Sequence, residues 1–204
     1  MGTGKVIFLN GSSSAGKTTL AIMLQQLLEE PYQHIALDQF RDGMPGRFRG
    51  LNSPEGTPGE RGLNVVPTEK DSEMVTEIRF GEHGEQILRG MRRAIAAFAR
   101  EGNNVIIDDI LFKPEYLQDY ARALQGIPTW FIGIRCTLDV VNQREALRTG
   151  RFPGTAKSHF HEVHAHNAGY DLEIDTSDTS PQECAELILE CLSKPPKVLR
   201  CLSA

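Results

Sequence analysis

The stretch Val6-Ile7-Phe8-Leu9-Asn10-Gly11-Ser12-Ser13-Ser14-Ala15-Gly16-Lys17-Thr18-Thr19-Leu20 decides how the rest of the chain is read. Its first four residues form a short apolar run, as in a buried strand. After Asn10, the eight residues Gly11 to Thr18 match G-x-x-x-x-G-K-[ST] without exception. Leu20, Met23, Leu24, Leu27 and Leu28 then recur at helical spacing, and Pro31 stops that helix. Strand, glycine-bounded loop and helix in this order form a cradle for phosphate. Glycines let the backbone curl so that successive N–H groups point inward, and the helix start adds its positive end. In this pattern Gly11, Ser12, Ser13, Ser14, Ala15 and Gly16 supply the cradle. Lys17 reaches the β- and γ-phosphates, and the Thr18 hydroxyl is a Mg²⁺ ligand.

Outward from this loop, apolar strand candidates alternate with amphipathic helical stretches. The strands are His34–Leu37, Val105–Ile107, Trp130–Ile134 and, more weakly, Leu172–Ile174. Helical spacing links Ile87, Leu88, Met91, Ile95 and Phe98, then Tyr116, Leu117, Tyr120 and Leu124. It continues through Val140–Leu147 and through Cys184, Leu187, Ile188 and Cys191, where Ser180 and Pro181 read as cap and first turn. The alternation predicts an α/β class with parallel pairing. Residues 1–193 read as one domain and 194–204 as a loosely attached tail. Within the domain, Gly43 to Asp71 is rich in Gly, Pro and charge with little periodicity, and reads as an insertion over the acceptor side.

The chain of 204 residues carries a net charge of -5, which argues against nucleic acid as a partner. It holds no run of about 18 apolar residues, so no membrane span is expected. The run Val6–Leu9 is too short for a secretory signal, so a cytoplasmic protein is expected. Cys136, Cys184, Cys191 and Cys201 form neither a C-x-x-C pair nor a zinc spacing, and read as reduced packing or surface residues.

Three further elements extend the loop toward a phosphotransfer site. Asp108 ends the strand Asn104-Val105-Ile106-Ile107 and is the candidate anchor for Mg²⁺, through water, with Asp109 as its substitute. Asp38 closes the strand before it. It reads equally as a base toward an acceptor hydroxyl or as a cap of the following turn. Arg144, Arg148 and Arg151, beside Gly150, Pro153 and Gly154, suggest a lid over residues 144–157 that neutralises the transferring phosphate. His159, His161, His164 and His166 lack a metal-binding spacing and read as partly exposed helix residues, with one near the acceptor pocket.

From end to end the chain resembles the chloramphenicol phosphotransferase-like family, small kinases related in fold to shikimate and nucleoside monophosphate kinases. The resemblance is carried by Ile7 to Lys17, the strand ending at Asp38, Met44-Pro45, Val105 to Asp109 and Ile132 to Cys136. It continues through Arg144-Glu145, Arg148, Gly150-Arg151, Val163-His164 and Tyr170 to Thr176. It spans about residues 4 to 192, while Arg47 to Arg79 and His166-Asn167 depart from it. The resemblance implies a P-loop fold with a five-stranded parallel sheet, Asp38 as catalytic base, and Arg144, Arg148 and Arg151 as the lid. It further implies transfer of the γ-phosphate of ATP, with Mg²⁺, to a hydroxyl of chloramphenicol or another small molecule. Two other readings stay open. One is a nucleoside or nucleotide kinase gripping its acceptor with Arg47, Arg49 and Arg61. The other is an ATP-dependent switch or binding module.

Overall fold

The computed structural model describes residues 2–70, 72–149 and 152–202. Five parallel strands form the central sheet: β1 (Val6–Asn10), β2 (Tyr32–Ala36), β6 (Asn104–Asp109), β7 (Thr129–Arg135) and β8 (Leu172–Asp175). Their order across the sheet is β2-β6-β1-β7-β8, and every neighbouring pair is parallel. β1 lies at the centre and is buried along its whole length, which is why its run is apolar without alternation.

Helices cover both faces. On one side α4 (Glu82–Arg100) and α5 (Pro114–Ala123) place Leu88, Met91, Ile95, Leu117 and Tyr120 against Phe8, Val105, Ile107 and Phe131. On the other, α1 (Lys17–Leu27) and α8 (Pro181–Leu192) place Leu20, Leu24, Cys184 and Ile188 against Ile7, Leu9, Ile106 and Ile132. The capping of α8 is reciprocal: Ser180 Oγ accepts from Glu183 N and Glu183 reaches back to Ser180 N.

Two regions differ from the sequence expectations. The segment read as an aperiodic insertion contains β3 (Arg49–Leu51), α3 (Pro58–Arg61) and β4 (Leu63–Lys70), and β4 forms a hairpin with β5 (Glu73–Phe80). This second sheet has the order β3-β4-β5. Both its faces mix apolar and polar residues, and Pro67 interrupts β4, so no clean alternation marks it in the sequence. Pro67 is tolerated because the pairing with β3 ends at Val65, leaving that side of β4 with an edge character.

The tail is docked rather than loose. Trp130 Nε1 donates to Lys194 O at 2.8 Å, and Asp171 Oδ1 accepts from Lys197 N and Val198 N. A final helix, α9 (Val198–Leu202), buries Leu199 to 4% exposure in the core cluster of α4 and α5. A five-residue helix carries too few apolar positions to show periodicity, so its docking could not be read from spacing.

Candidate active site

The C-terminal ends of β1, β2 and β6 converge on one cleft, where open α/β sheets bind ligands. The phosphate loop leaves β1 with Ser14 and Gly16 in the left-handed region, φ 62° and 97°. Gly11 is required by packing, because a Cβ there would stand 2.5 Å from Ile134 O. Lys17 is 6% exposed and folds back over the loop, its Nζ donating to Gly11 O and Ser12 O, both at 2.9 Å. Burial lowers the Lys17 pKa, against the raising effect of the Asp108, Asp109 and Asp38 carboxylates. Arg148 also lies within electrostatic range of Lys17.

Thr18 Oγ1 donates to Asp108 Oδ2 at 2.6 Å, Lys17 Nζ stands 3.8 Å from Asp108 Oδ1, and His34 Nε2 approaches Oδ2 at 3.4 Å. Burial alone would raise the Asp108 pKa. His34, Lys17 and Thr18 outweigh it and hold the carboxyl below its ordinary value. A hydroxyl and a carboxylate in contact are hard oxygen donors, the type that suits Mg²⁺, which keeps water and phosphate oxygens for its other positions. Asp109 faces the opposite side of the sheet, where its carboxylate accepts from Tyr120 Oη at 2.6 Å and Ile110 N at 2.7 Å. Burial pushes its pKa up to about 6. It therefore does not stand in for Asp108.

Asp38 is the second residue of a short helix, α2 (Leu37–Asp42), directly after β2, and lines the cleft. Ala36 holds the cap position, so Asp38 is not the capping residue. Its Oδ1 accepts from Arg41 Nη1 at 2.7 Å, and Arg41 Nε donates to Asp42 at 2.9 Å. Arg49 Nη1 lies 3.9 Å from Asp42. Of the three arginines considered for gripping an acceptor phosphate, Arg49 lines the cleft, Arg61 pairs with Glu82, and Arg47 lies over the Phe48 ring.

Arg144 and Arg148 both line the cleft but sit differently. Arg144, on α6 (Leu138–Ala146), donates to Thr176 Oγ1 at 3.1 Å and Thr176 O at 2.6 Å, and Thr176 Oγ1 donates to Ala15 O. It is thereby fastened beside the back of the phosphate loop. Arg148 follows the end of α6, and Arg151 lies outside the described residues. Glu145, the neighbour of Arg144 on α6, is 6% exposed. It accepts from Gly154 N and Ala156 N, both at 2.8 Å, at the start of α7 (Thr155–His159).

The histidines do not share one helix. His159 ends α7 and is 4% exposed, while His164 lies in a 3₁₀ turn, Glu162–His164. His159 Nε2 accepts from Ser13 N in the phosphate loop at 3.2 Å. His164 Nδ1 meets Tyr170 Oη at 2.6 Å, and Tyr170 in turn accepts from Asn10 Nδ2. The spacing of the four histidines carries no sign that one of them reaches the loop.

The cleft has a volume of about 1150 Å³ and runs from Thr176 and Cys184, past Lys17 and Asp108, to Asp38 and the second sheet. Parallel-sheet order, phosphate loop and strand-end carboxylates together define a kinase of the P-loop class. The chain belongs to the family described as chloramphenicol phosphotransferase-like protein, which matches residues 4–193. A Mycobacterium tuberculosis (strain H37Rv) protein named "Putative O-phosphotransferase" is 33% identical, over 96% of this chain and 85% of that one. Among solved structures, an APS kinase of M. tuberculosis in complex with AMPPNP and APS superposes with TM-score 0.62 and 17% identity, covering 95% of this chain and all of that one. A Sinorhizobium meliloti gluconokinase gives 0.59 and 16%, covering 94% and 92%. The tunicamycin resistance protein of Deinococcus radiodurans gives 0.54 and 17%, covering 95% and 99%. At these identities the structural likeness speaks for the fold alone.

Proposed function

We propose that this kinase-type phosphotransferase moves the γ-phosphate of ATP onto a hydroxyl of a small, largely uncharged molecule. The observation that carries the reading is the continuity of one cleft from the phosphate loop to the Asp38 carboxylate. The loop N–H groups of Ser14 and of Gly16 to Thr18, together with the Lys17 ammonium, would hold the phosphates, while the Ser13 N–H stays on His159. Thr18 and, through water, Asp108 would hold Mg²⁺, which neutralises charge on the phosphate oxygens. Asp38 would orient the acceptor hydroxyl and take its proton as the new O–P bond forms and the bond to ADP breaks. Lys17, Arg148 and Arg144 would stabilise the charge on the transferring group, and Arg151 belongs to the same lid reading.

The acceptor end supports the choice of substrate class. Leu37, Leu63, Val65, Ile78 and Phe112 form an apolar wall, and the charges beside it are two arginines, Arg41 and Arg49, against two aspartates, Asp38 and Asp42. Balanced charge beside an apolar wall suits a neutral hydroxylated compound with an apolar body better than a phosphorylated one. Chloramphenicol, from the family's description, is the first compound to try. The segment 43–71 is assigned to the acceptor side, and 144–157 to a lid over the transferring phosphate, in a domain that the docked tail completes.

The test is ADP release with Mg-ATP against a panel of neutral hydroxylated compounds, chloramphenicol included, beside nucleosides and nucleoside monophosphates. A phosphorylated product from a neutral compound, identified by mass spectrometry, is the expected result. Turnover confined to nucleoside monophosphates would replace this reading by a nucleotide kinase.

A further inference from the structure

We propose that His159 is a positioning residue: it sets the orientation of the Ser12–Ser13 peptide group and, through that peptide's carbonyl, the ammonium of Lys17. The proposal rests on the phosphotransfer reading above and adds to it a residue from outside the phosphate loop.

The Ser12–Ser13 peptide is held at both ends. Its N–H donates to His159 Nε2 at 3.2 Å, and its carbonyl accepts from Lys17 Nζ at 2.9 Å and from Ala15 N at 3.3 Å. A peptide group is planar, so fixing the N–H direction fixes the carbonyl direction. Whatever orients the Ser13 N–H therefore orients an acceptor of the Lys17 ammonium.

The imidazole is wired for this role. With Nε2 accepting, the ring proton sits on Nδ1, which faces Ser158 Oγ at 3.4 Å. Ser158 Oγ donates to Thr155 O at 2.7 Å, so its lone pair is turned toward the ring. Donor and acceptor roles are consistent along the whole chain from Ser13 to Thr155, and they require a neutral imidazole. Burial supports this state, lowering the pKa of His159 to about 3, with Lys17 and Lys70 acting in the same direction and Glu162 against them.

The ring is also braced against the acceptor side. Its edge packs on Phe112 at 5.1 Å between centroids, and Phe112 lines the cleft beside Ile78. The helix that carries it, α7, is fixed at its start by Glu145 and tied to β5 through Thr76, which donates to Pro153 O and Gly154 O. His159 thus carries to the phosphate loop, by direct contact with Ser13, the position of a helix that Glu145 of α6 and Thr76 of β5 hold at its start.

The experiment compares H159F, which keeps a ring against Phe112 but has no acceptor, with H159Q, whose side-chain carbonyl can take the Ser13 N–H. Binding of Mg-AMPPNP, kcat and KM for ATP, and ¹⁵N NMR of the imidazole are measured on the full chain. The expected result is an imidazole protonated on Nδ1 alone at neutral pH. H159F should lose AMPPNP affinity and kcat together, by up to about 10²-fold as for a misplaced reacting geometry, and H159Q should recover most of both. Equal behaviour of H159F and H159Q, or a proton on Nε2, overturns the proposal. Should H159F not fold, the tautomer and H159Q decide: a recovered affinity supports the role and an Nε2 proton refutes it. An unaltered protein that binds no AMPPNP would refute the ATP-dependent reading instead, and the tautomer measurement separates that failure from this one.

Discussion

Asp108 and Asp109, neighbours on β6, serve opposite faces of the sheet: one accepts from the Thr18 hydroxyl and the other from the Tyr120 hydroxyl, each at 2.6 Å. Strand alternation separates them, and their environments drive their acidities apart. Their substitution should therefore differ in kind. Asp108→Asn should lower activity roughly 10- to 100-fold and raise the Mg²⁺ requirement, as for a group that holds a metal through water. Asp109→Asn should leave the Mg²⁺ requirement unchanged. Activity titrated with Mg²⁺ for both variants checks this.

Asp109 also predicts a pH effect on stability. Its folded pKa of about 6 lies above the ordinary 3.8, so the folded state keeps a proton that the unfolded state has released. Its contribution falls as pH rises from about 4 to about 6, then levels off. Urea melts across this window should show Asp109→Asn gaining stability relative to the unaltered protein as pH rises.

Two histidines act in the opposite direction. His159 and His164 have folded pKa values near 3 and 4, below the ordinary 6.5, through burial first and neighbouring cations second. The unfolded chain binds protons below about 6.5 that the folded chain refuses. Stability should therefore be lost as pH falls from 6.5 toward 4, by a few kcal/mol at most for the pair. His159→Gln should flatten that loss in melts from pH 7 to pH 4.

Asp38→Asn should reduce phosphotransfer by about 10²- to 10⁴-fold, the range for a positioned acid–base group. Binding of Mg-AMPPNP should change little, because the role proposed for Asp38 is toward the acceptor hydroxyl and not the nucleotide. Parallel binding and turnover measurements separate the two effects. Full turnover by Asp38→Asn would remove Asp38 as the base.

Leu199→Ala should destabilise the fold by about 2–5 kcal/mol, the range for truncating a buried leucine. A chain ending at Lys194 should melt lower still, since it also loses the contacts of Asp171 with Lys197 and Val198. Thermal melts with unchanged nucleotide affinity at low temperature are the expected result.

Much of the nucleotide half of the site was legible in the sequence, because its parts are local. Gly11 to Thr18 is one continuous motif, Asp108 lies near the end of an apolar strand, and Asp38 follows another by two residues. The rest depended on contacts between distant segments. His159 meets Ser13 across 146 residues of chain, and Thr176 meets Ala15 across 161. No periodicity or motif encodes such a meeting. Glu145 gives no sign of burial by its spacing for the same reason, since its partners at Gly154 and Ala156 come near only when the chain turns back after α6.

By itself, the sequence determined the α/β alternation, the phosphate loop, and the strand-end carboxylates, all of which follow from backbone periodicity and the geometry of a glycine-bounded turn. The tertiary structure alone decided which of two adjacent aspartates faces the loop. It also decided that an apparently aperiodic stretch folds as a second sheet beside Asp38, and that the tail completes the core. Those outcomes depend on burial and side-chain partners, which exist only once segments far apart in the chain have packed together.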